Sequence, residues 1–366
     1  MRVIMFDLDC CRPDHLGCYG YHRNTSPAMD EIAGEGVRFD HCSASNSPCL
    51  PARAAIFSGR LGVKNGVTTN WEDFPFRYPY RSSGLNAPML QAHLARNGIK
   101  TVTFSPFADR HEASWFSIGW TEHHDHVGKR GQERADEVNR HLIPWLKQHV
   151  AEDNLFIHVH YWDIHSYYRT PEDKAHVFDG EPAPDWPDED TIRWQYENMY
   201  GPRTGADLYT SYRNEDGRPV PFMPDRIASR ADFEMLINAY DATIRYTDDH
   251  VRQVIDVVKD AGVWSDTAVI ITGDHGDSFG NHGQYMDHGL ANEAVTRVPM
   301  IVRWPGVTRK AHNDSLIFTL DVCPTLCDMF DIPKPADWDG LTFAPALRGE
   351  AFPGRPYLVI DHGIYT

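Results

Sequence analysis

Hydrophobic positions along the chain fall into short continuous runs and longer segments in which apolar residues recur every three or four positions. The short runs are typical of buried strands, whereas the recurring spacing is typical of helices. The runs predict strands at Val3–Asp9, Lys100–Phe104, Leu155–His160, Ala268–Thr272, Pro299–Val302 and Tyr357–Ile360. The recurring spacing predicts helices at Met89–Arg96, Glu133–Val150, Ala231–Ala261 and Val322–Phe330. Because the two patterns alternate, we expect an α/β fold with a large, mixed and mostly parallel sheet flanked by helices.

One region interrupts this alternation. Between residues 170 and 230, prolines, glycines and acids accumulate together with Trp186 and Trp194. A long irregular segment inside a compact domain is usually functional or disordered. We interpret it as an insertion that forms a lid over a site; a surface excursion or an oligomer contact is the alternative.

Composition narrows the possible partners and the compartment. The formal net charge of −17 over 366 residues argues against nucleic acid and anionic membrane surfaces as partners. Seven cysteines, an odd number in a long chain, indicate reduced thiols, and Cys323 and Cys327 fall in an apolar helical pattern typical of a core. Strand residues directly after Met1 leave no room for a secretion signal, so we expect a cytoplasmic protein.

Two predicted strands end in acidic residues. Asp9 closes the first strand, and Asp274 and His275 follow Ala268–Thr272 at a glycine turn. Open α/β sheets build their sites at such strand ends, where two carboxylates would repel each other unless a cation lay between them. An imidazole ligand from His275 would move the metal preference of such a site somewhat toward Mn²⁺ or another transition metal. The alternative interpretation of Asp274 and His275 is an ordinary turn after a strand. Cys10 would be a poor ligand for a hard cation, and we interpret it as a spectator.

A cysteine stands near a predicted helix start in the stretch Cys49-Leu50-Pro51-Ala52-Arg53. Pro51 fixes its own backbone and favours extended geometry at the residue before it. The apolar residues that follow predict a buried helix, so Cys49 would lie at or just before its N-terminus, where negative charge is favoured. Arg53 adds a fixed positive charge one turn later. This arrangement can hold a nucleophile and an anion together.

This stretch resembles the C-x-P-x-R signature of the type I sulfatases, a family of the alkaline phosphatase superfamily. Asp9–Gly20 looks like the opening metal-binding strand and loop of that family, and Thr267–Asp277 looks like the strand that carries its remaining metal ligands. The motifs stand in the family order and cover most of residues 1–306. The resemblance implies an alkaline-phosphatase-like catalytic domain over 1–345. It further implies that 346–366 begins a small C-terminal subdomain, here missing or reduced.

The resemblance also implies a chemistry. Cys49 would be oxidised to formylglycine by a maturation enzyme, and the hydrated aldehyde would supply the attacking oxygen. Asp9, Asp274 and His275 would hold a divalent metal, Ca²⁺ by the resemblance with Mn²⁺ as the alternative. Arg53 and this metal would hold the formylglycine in place. The substrate would be a sulfate ester of a small molecule or a saccharide.

Four more residues are assigned through the same resemblance. His165 matches the histidine that contacts the sulfate and protonates the leaving oxygen, and His288 stands where a sulfate-binding lysine is usual. A second family lysine and its neighbouring histidine are missing. Arg110 would replace the charge, and His111 would be the base that breaks down the covalent intermediate; a solvent-exposed loop is the alternative for this pair.

The remaining histidines are given structural interpretations. His158 and His160 alternate along a predicted strand and are interpreted as structural residues. His123, His124 and His126 form a cluster that we interpret as surface, because no cysteine or suitably spaced partner lies near them in the sequence.

Sulfate ester hydrolysis is the leading functional hypothesis. The pair Asp274-His275 and the two missing family lysines also fit a phosphonate monoester or phosphodiester hydrolase of the same superfamily. A third alternative is a non-catalytic, metal-stabilised binding protein in which Cys49 stays a thiol.

Overall fold

The computed structural model describes residues 1–70, 89–125, 128–199 and 222–361. Its strands are β1 (Arg2–Leu8), β2 (Val37–Phe39), β3 (Cys42–Ser43), β4 (Lys100–Phe104), β5 (Glu122–His124), β6 (Leu155–Tyr161), β7 (Thr267–Thr272), β8 (Ser278–Phe279), β9 (Tyr285–Asp287), β10 (Met300–Arg303), β11 (Ala311–Asn313) and β12 (Ile317–Phe318). Its α-helices are Pro27–Glu35, Cys49–Ser58, Gly62–Asn65, Leu90–Arg96, Phe107–Arg110, Ala135–His149, Glu172–Ala175, Glu189–Asn198, Arg230–Asp260, Glu293–Thr296, Val322–Phe330 and Ala344–Leu347.

Eight of these strands form one sheet in the order β11-β2-β10-β7-β1-β6-β4-β5. Strands β7, β1, β6, β4 and β5 run parallel to one another, and β10 is antiparallel to both β7 and β2. The predicted α/β class, with a large and mostly parallel sheet flanked by helices, is therefore confirmed. The central strand β1 lies between β7 and β6, so the carboxyl ends of these three strands meet at one edge.

Strand β1 is buried on both faces, and its alternation decides which side chains reach which layer. Ile4, Phe6 and Leu8 belong to the core layer that contains the helices Ala135–His149 and Arg230–Asp260. Val3 and Met5 belong to the opposite layer, which contains the helices Cys49–Ser58 and Val322–Phe330. Because side chains on a strand alternate with a period of two, Asp7 and Asp9 share the face of Val3 and Met5. Both carboxylates therefore face the helix that begins at Cys49.

The predicted helices and five of the six predicted strands are present, with ends that differ from the prediction by at most two residues. Helix Ala135–His149 continues through Pro144. The predicted strand Tyr357–Ile360 is wrong: it pairs with no neighbouring strand, and Tyr357 keeps 69% of its surface exposed. After helix Ala344–Leu347, the described residues 348–361 form no strand of a sheet and only isolated bridges, such as that of Asp361 to Asn46.

The structure also tests the interpretations of the histidine cluster and of Cys323 and Cys327. The surface interpretation of His123 and His124 is wrong, because they lie half-buried on β5, where His124 stacks on Phe104 with ring centroids 4.4 Å apart. His126 lies outside the described residues. The buried positions of Cys323 and Cys327 confirm the core interpretation.

Among the described helices, none is both long and apolar enough to cross a membrane.

The insertion at 170–230 is described except for 200–221. Its helix Glu189–Asn198 contacts the β8–β9 hairpin through Gln195, which donates to the Gly280 carbonyl at 2.9 Å and accepts from the Tyr285 hydroxyl. The lid function of this segment stays a prediction.

The carboxylate of Asp163 generates a prediction about pH and stability. One oxygen accepts a hydrogen bond from the Ala135 amide at 3.0 Å, at the start of helix Ala135–His149, while the other is buried without a partner among the described residues. Burial raises the pKa of Asp163 to about 7, although the Ala135 amide opposes this. A pKa above its unfolded value means that the stabilising contribution is complete below about pH 4 and is lost as pH rises through about 7.

We therefore expect Asp163→Asn to flatten the fall in unfolding free energy between pH 5 and pH 8. The difference should be a few kcal/mol, because each pKa unit corresponds to about 1.4 kcal/mol. Urea unfolding of both proteins at the two pH values measures it, with the exposed Asp190→Asn as control. An unchanged pH dependence in Asp163→Asn would contradict the assignment.

Candidate active site

A single buried guanidinium organises the charges at the strand ends. Arg53 is fully buried in helix Cys49–Ser58, and its Nε and Nη2 contact the two carboxylate oxygens of Asp7 at 2.7 and 3.0 Å. Its Nη1 lies 2.9 Å from Asp9 Oδ2 and 2.7 Å from Asp274 Oδ2. The second nitrogen, Nη2, lies 2.6 Å from His160 Nε2. Residues from β1, β6, the turn after β7 and the helix therefore meet at one point.

This cluster holds more negative than positive charge. Burial raises the pKa of Asp9, but Arg53 and His160 outweigh it and hold this pKa well below its usual range. Burial likewise raises the pKa of Asp274, and here Arg53 does not compensate, because Asp9 and Asp7 lie close by. If all three buried carboxylates were ionised, one guanidinium would leave an excess negative charge of about two, and the raised pKa of Asp274 reflects this repulsion. A divalent cation would balance that excess.

The predicted metal ligands come together beside Cys49. One donor atom from each of Asp9, Asp274, His275 and Cys49 lies within 4.8 Å of the others. His275 Nδ1 is 2.8 Å from the Gly276 carbonyl; with the proton assigned to Nδ1, Nε2 keeps its lone pair and lies 3.3 Å from Asp274 Oδ2. A ring held by a backbone carbonyl in this way is typical of metal-binding histidines. The donor set therefore fits a divalent metal.

Cys49 itself lies at the first position of its helix. Its Sγ is 3.2 Å from His275 Nε2 and 4.0 Å from Asp9 Oδ1. Burial raises the pKa of the Cys49 thiol well above its usual range, and the carboxylates of Asp9 and Asp274 add to this. The prediction that Cys49 begins a buried helix is confirmed. Its thiol would stay protonated next to these carboxylates.

His165 and His288 face each other across the same space. Their ring centroids are 5.1 Å apart, and their donor atoms lie within 4.8 Å of Cys49 Sγ. Burial lowers the pKa of His165 well below its usual range, although Asp9 opposes this. For His288, Asp277 outweighs burial and raises the pKa. The two pKa values are therefore shifted in opposite directions, and His288 holds its proton more strongly than His165.

Arg110 and His111 lie at the end of the short helix Phe107–Arg110. His111 is half-buried and stacks on Trp162, with ring centroids 5.9 Å apart, and the Arg110 guanidinium lies 5.8 Å from the same ring. Trp162 also contacts His165, at 5.7 Å. Burial raises the pKa of Cys49 and lowers that of His165; the positive charge of Arg110 opposes the first shift and adds to the second. The pair therefore stands beside the site, and its two roles stay predictions.

Sequence reasoning missed several members of this cluster. Asp7 was passed over, although its spacing of two from Asp9 on a strand puts both on one face. His160 was interpreted as structural, yet it contacts Arg53 and lies 3.5 Å from Asp9. Arg169 donates to the carbonyls of Trp162 and His165 at 3.0 and 3.1 Å and so holds the loop after β6. No sequence pattern distinguishes such an arginine from a surface one.

Known proteins similar to this chain indicate its family. The model of the family described as Sulfatase matches residues 7–332. The chain belongs to the sulfatase family. It is therefore an enzyme whose reaction is the hydrolysis of sulfate esters.

Individual relatives of this sulfatase are distant. N-acetylglucosamine-6-O-sulfatase of Bacteroides thetaiotaomicron is 23% identical over 399 aligned residues, which cover 95% of this chain and 71% of that protein. A structure solved with its substrate D-glucosamine-2-N,6-O-disulfate has a TM-score of 0.73 at 19% identity, covering 96% of this chain and 80% of that one. The phosphonate monoester hydrolase of Agrobacterium radiobacter has a TM-score of 0.71 at 18% identity, covering 96% and 78%.

The Arg53 cluster generates a prediction about stability. Arg53→Lys would replace a planar group that contacts Asp7, Asp9 and Asp274 at once by a single ammonium that cannot. We expect a loss of roughly 3–5 kcal/mol in unfolding free energy, because carboxylates are left buried and unpaired. Urea unfolding measures this loss.

The matched control is Arg252→Lys, which changes a partly exposed ion pair with Glu31 at 2.6 Å. Exposed pairs contribute about 0–1 kcal/mol, so this variant should remain close to the parent. Equal effects of the two substitutions would contradict the central role of Arg53.

Proposed function

We propose that this sulfatase cleaves a sulfate monoester to an alcohol and sulfate, using a formylglycine derived from Cys49 and a divalent metal. The observation that carries the proposal is the position of Cys49 Sγ, 3.2 Å from His275 Nε2 and 4.0 Å from Asp9 Oδ1. Thiolates, not thiols, are nucleophiles, and the surrounding carboxylates oppose the thiolate. An unmodified Cys49 would therefore be inert, which supports its conversion by a maturation enzyme. The hydrated aldehyde would supply the attacking oxygen.

Asp9, Asp274 and His275 would hold the metal, because their donors converge where the buried carboxylates exceed the positive charge. When bound, the cation supplies Lewis-acid polarisation of the sulfuryl group. Family resemblance favours Ca²⁺, while the imidazole nitrogen favours Mn²⁺ or a similar transition ion.

His288 and His165 would have different roles, one in binding the charged sulfate and the other in proton transfer. His288, whose pKa is raised chiefly through Asp277 against the effect of burial, would bind a sulfate oxygen as a cation in place of the usual lysine. His165 is neutralised by burial, so it would gain its proton when a sulfate brings negative charge beside it. It could then donate that proton to the leaving oxygen. Arg110 would add positive charge beside the site, and His111 would act as the base of the second half-reaction.

The substrate class is drawn from the relatives. One is named an N-acetylglucosamine-6-O-sulfatase, and another structure holds a glucosamine disulfate. We propose a sulfated saccharide on this basis. The second candidate is a phosphonate monoester, favoured by His275 and by the similar fold of the Agrobacterium radiobacter hydrolase.

Mass spectrometry of the tryptic peptide Phe39–Arg53 tests the modification. We expect the aldehyde or its hydrate at Cys49 in protein co-expressed with a formylglycine-generating enzyme. The same peptide contains Cys42, which is buried away from the site and should remain a thiol, so fragmentation provides an internal control. Cys49→Ala should lower turnover by roughly 10³-fold or more, because the attacking group is lost. Turnover that survives Cys49→Ala would eliminate the mechanism.

Side-by-side rates on an aryl sulfate and an aryl phosphonate monoester with the same aryl leaving group test which group the enzyme transfers to water. We expect kcat/KM to favour the sulfate, and 6-O-sulfated glucosamine to be desulfated as well. Preparations of Cys49→Ala made in parallel measure contaminating hydrolases. A preference for the phosphonate would move the assignment to the second candidate.

A further inference from the structure

Two arginines beside the site lack an acidic partner. Arg110 and Arg169 form no ion pair with a carboxylate among the described residues, although the chain has 52 acids and only 35 lysines and arginines. Arg130, a neighbour of Arg110, shows the more usual arrangement, with its Nε 3.5 Å from a carboxylate oxygen of Asp109. A guanidinium without a counterion keeps its donors free for an anionic ligand.

Both side chains are attached to the loop that follows β6. Arg169 Nη1 donates to the carbonyls of Trp162 and His165, whereas Nη2 donates to no described residue. The Arg110 guanidinium carbon lies 5.8 Å from the centre of the Trp162 ring, and its side chain makes one long hydrogen bond of 3.5 Å to the Arg130 carbonyl. Trp162 therefore contacts both arginines, one through its ring and the other through its carbonyl.

The electrostatic effects of the two arginines reach each other and His165. Burial lowers the pKa of Arg169, and the positive charge of Arg110 adds to this shift, which Asp163 opposes without forming an ion pair. Burial also lowers the pKa of His165, and both arginines contribute to that shift. Two cations that act on each other and on the predicted proton donor lie close to the reacting group. An anion that contacted both would offset their mutual repulsion.

We propose that Arg110 and Arg169 form a subsite for a second sulfate group on the same saccharide whose first sulfate is hydrolysed. Planar guanidinium groups are well suited to tetrahedral oxyanions, which they bind through paired hydrogen bonds. The inference rests on the proposed function for the saccharide and for the reacting sulfate at Cys49. It gives Arg110 a target apart from the reacting sulfate, which His288 would bind. The enzyme would then favour doubly sulfated sugars over singly sulfated ones.

Two substrates that differ by one sulfate test this subsite. They are glucosamine 6-O-sulfates that carry either an N-sulfate or an N-acetyl group. We expect kcat/KM of the parent to favour the doubly sulfated sugar by roughly tenfold or more, because hydrogen bonds between charged groups are the strong ones. Arg110→Gln and Arg169→Gln should each remove most of this preference. A substitution that only disturbed the loop would lower both rates and leave their ratio unchanged.

The matched control is Arg130→Gln, which removes a neighbouring positive charge that already has a partner in Asp109. It should keep the ratio of the parent. Equal kcat/KM of the parent for the two sugars would overturn the inference. So would a ratio that survives both Arg110→Gln and Arg169→Gln, or one that falls as far in Arg130→Gln.

Binding to Cys49→Ala measures the same preference without turnover. Titration calorimetry should give a Kd roughly tenfold lower for the doubly sulfated sugar, and the difference should shrink in Cys49→Ala/Arg110→Gln. Arg110 is exposed, so we expect this variant to fold even if Arg169→Gln does not. Equal affinities in Cys49→Ala would overturn the subsite. If the mature parent hydrolyses neither sugar nor an aryl sulfate, the proposed function fails, and the binding comparison still decides on the subsite.

Discussion

The pairing of one buried arginine with three carboxylates is the interaction on which the rest of the site depends. Arg53 satisfies Asp7, Asp9 and Asp274 with one planar group, which no other side chain could do from a single position on a helix. Taking these charges out of water is costly, and their mutual attraction repays this only while every partner is present. With all three carboxylates ionised, negative charge is in excess, and the proposed divalent cation at the strand ends would offset it. Stability and the proposed metal binding would thus depend on the same few atoms.

The sheet supplies the geometry for this pairing. Because β1 lies between β6 and β7, its carboxylates have His160 on one side and Asp274 on the other. The period of two along β1 and β6 turns Asp7, Asp9 and His160 to the face covered by helix Cys49–Ser58. The long helix on the other face also contributes, since its Tyr240 holds the carbonyl of Cys10. The site therefore draws on both layers of the fold.

Much of this could be predicted from the sequence, and the limits have physical causes. Apolar runs and helical spacing predict the sheet and its main helices, and acids at strand ends predict where charge gathers. Tyr357–Ile360 has the composition of a strand but no partner edge, and pairing is a property of the fold rather than of the segment. Asp7 and His160 were undervalued because their importance comes from Arg53, which lies 46 and 107 residues away from them in the chain. The opposite pKa shifts of His165 and His288 depend on burial and on the position of Asp277, and the sequence alone shows neither.

The burial of Cys49 limits when a modifying enzyme could reach it. In the folded protein this residue exposes only 2% of its surface, and its neighbour His275 follows it by 226 residues in the chain. During synthesis, the cysteine emerges long before β7 exists to complete the sheet around it. An enzyme that modifies Cys49 would therefore have to reach it while the chain is unfinished or unfolded. The same close packing that defines the site would make the finished protein inaccessible to the chemistry that activates it.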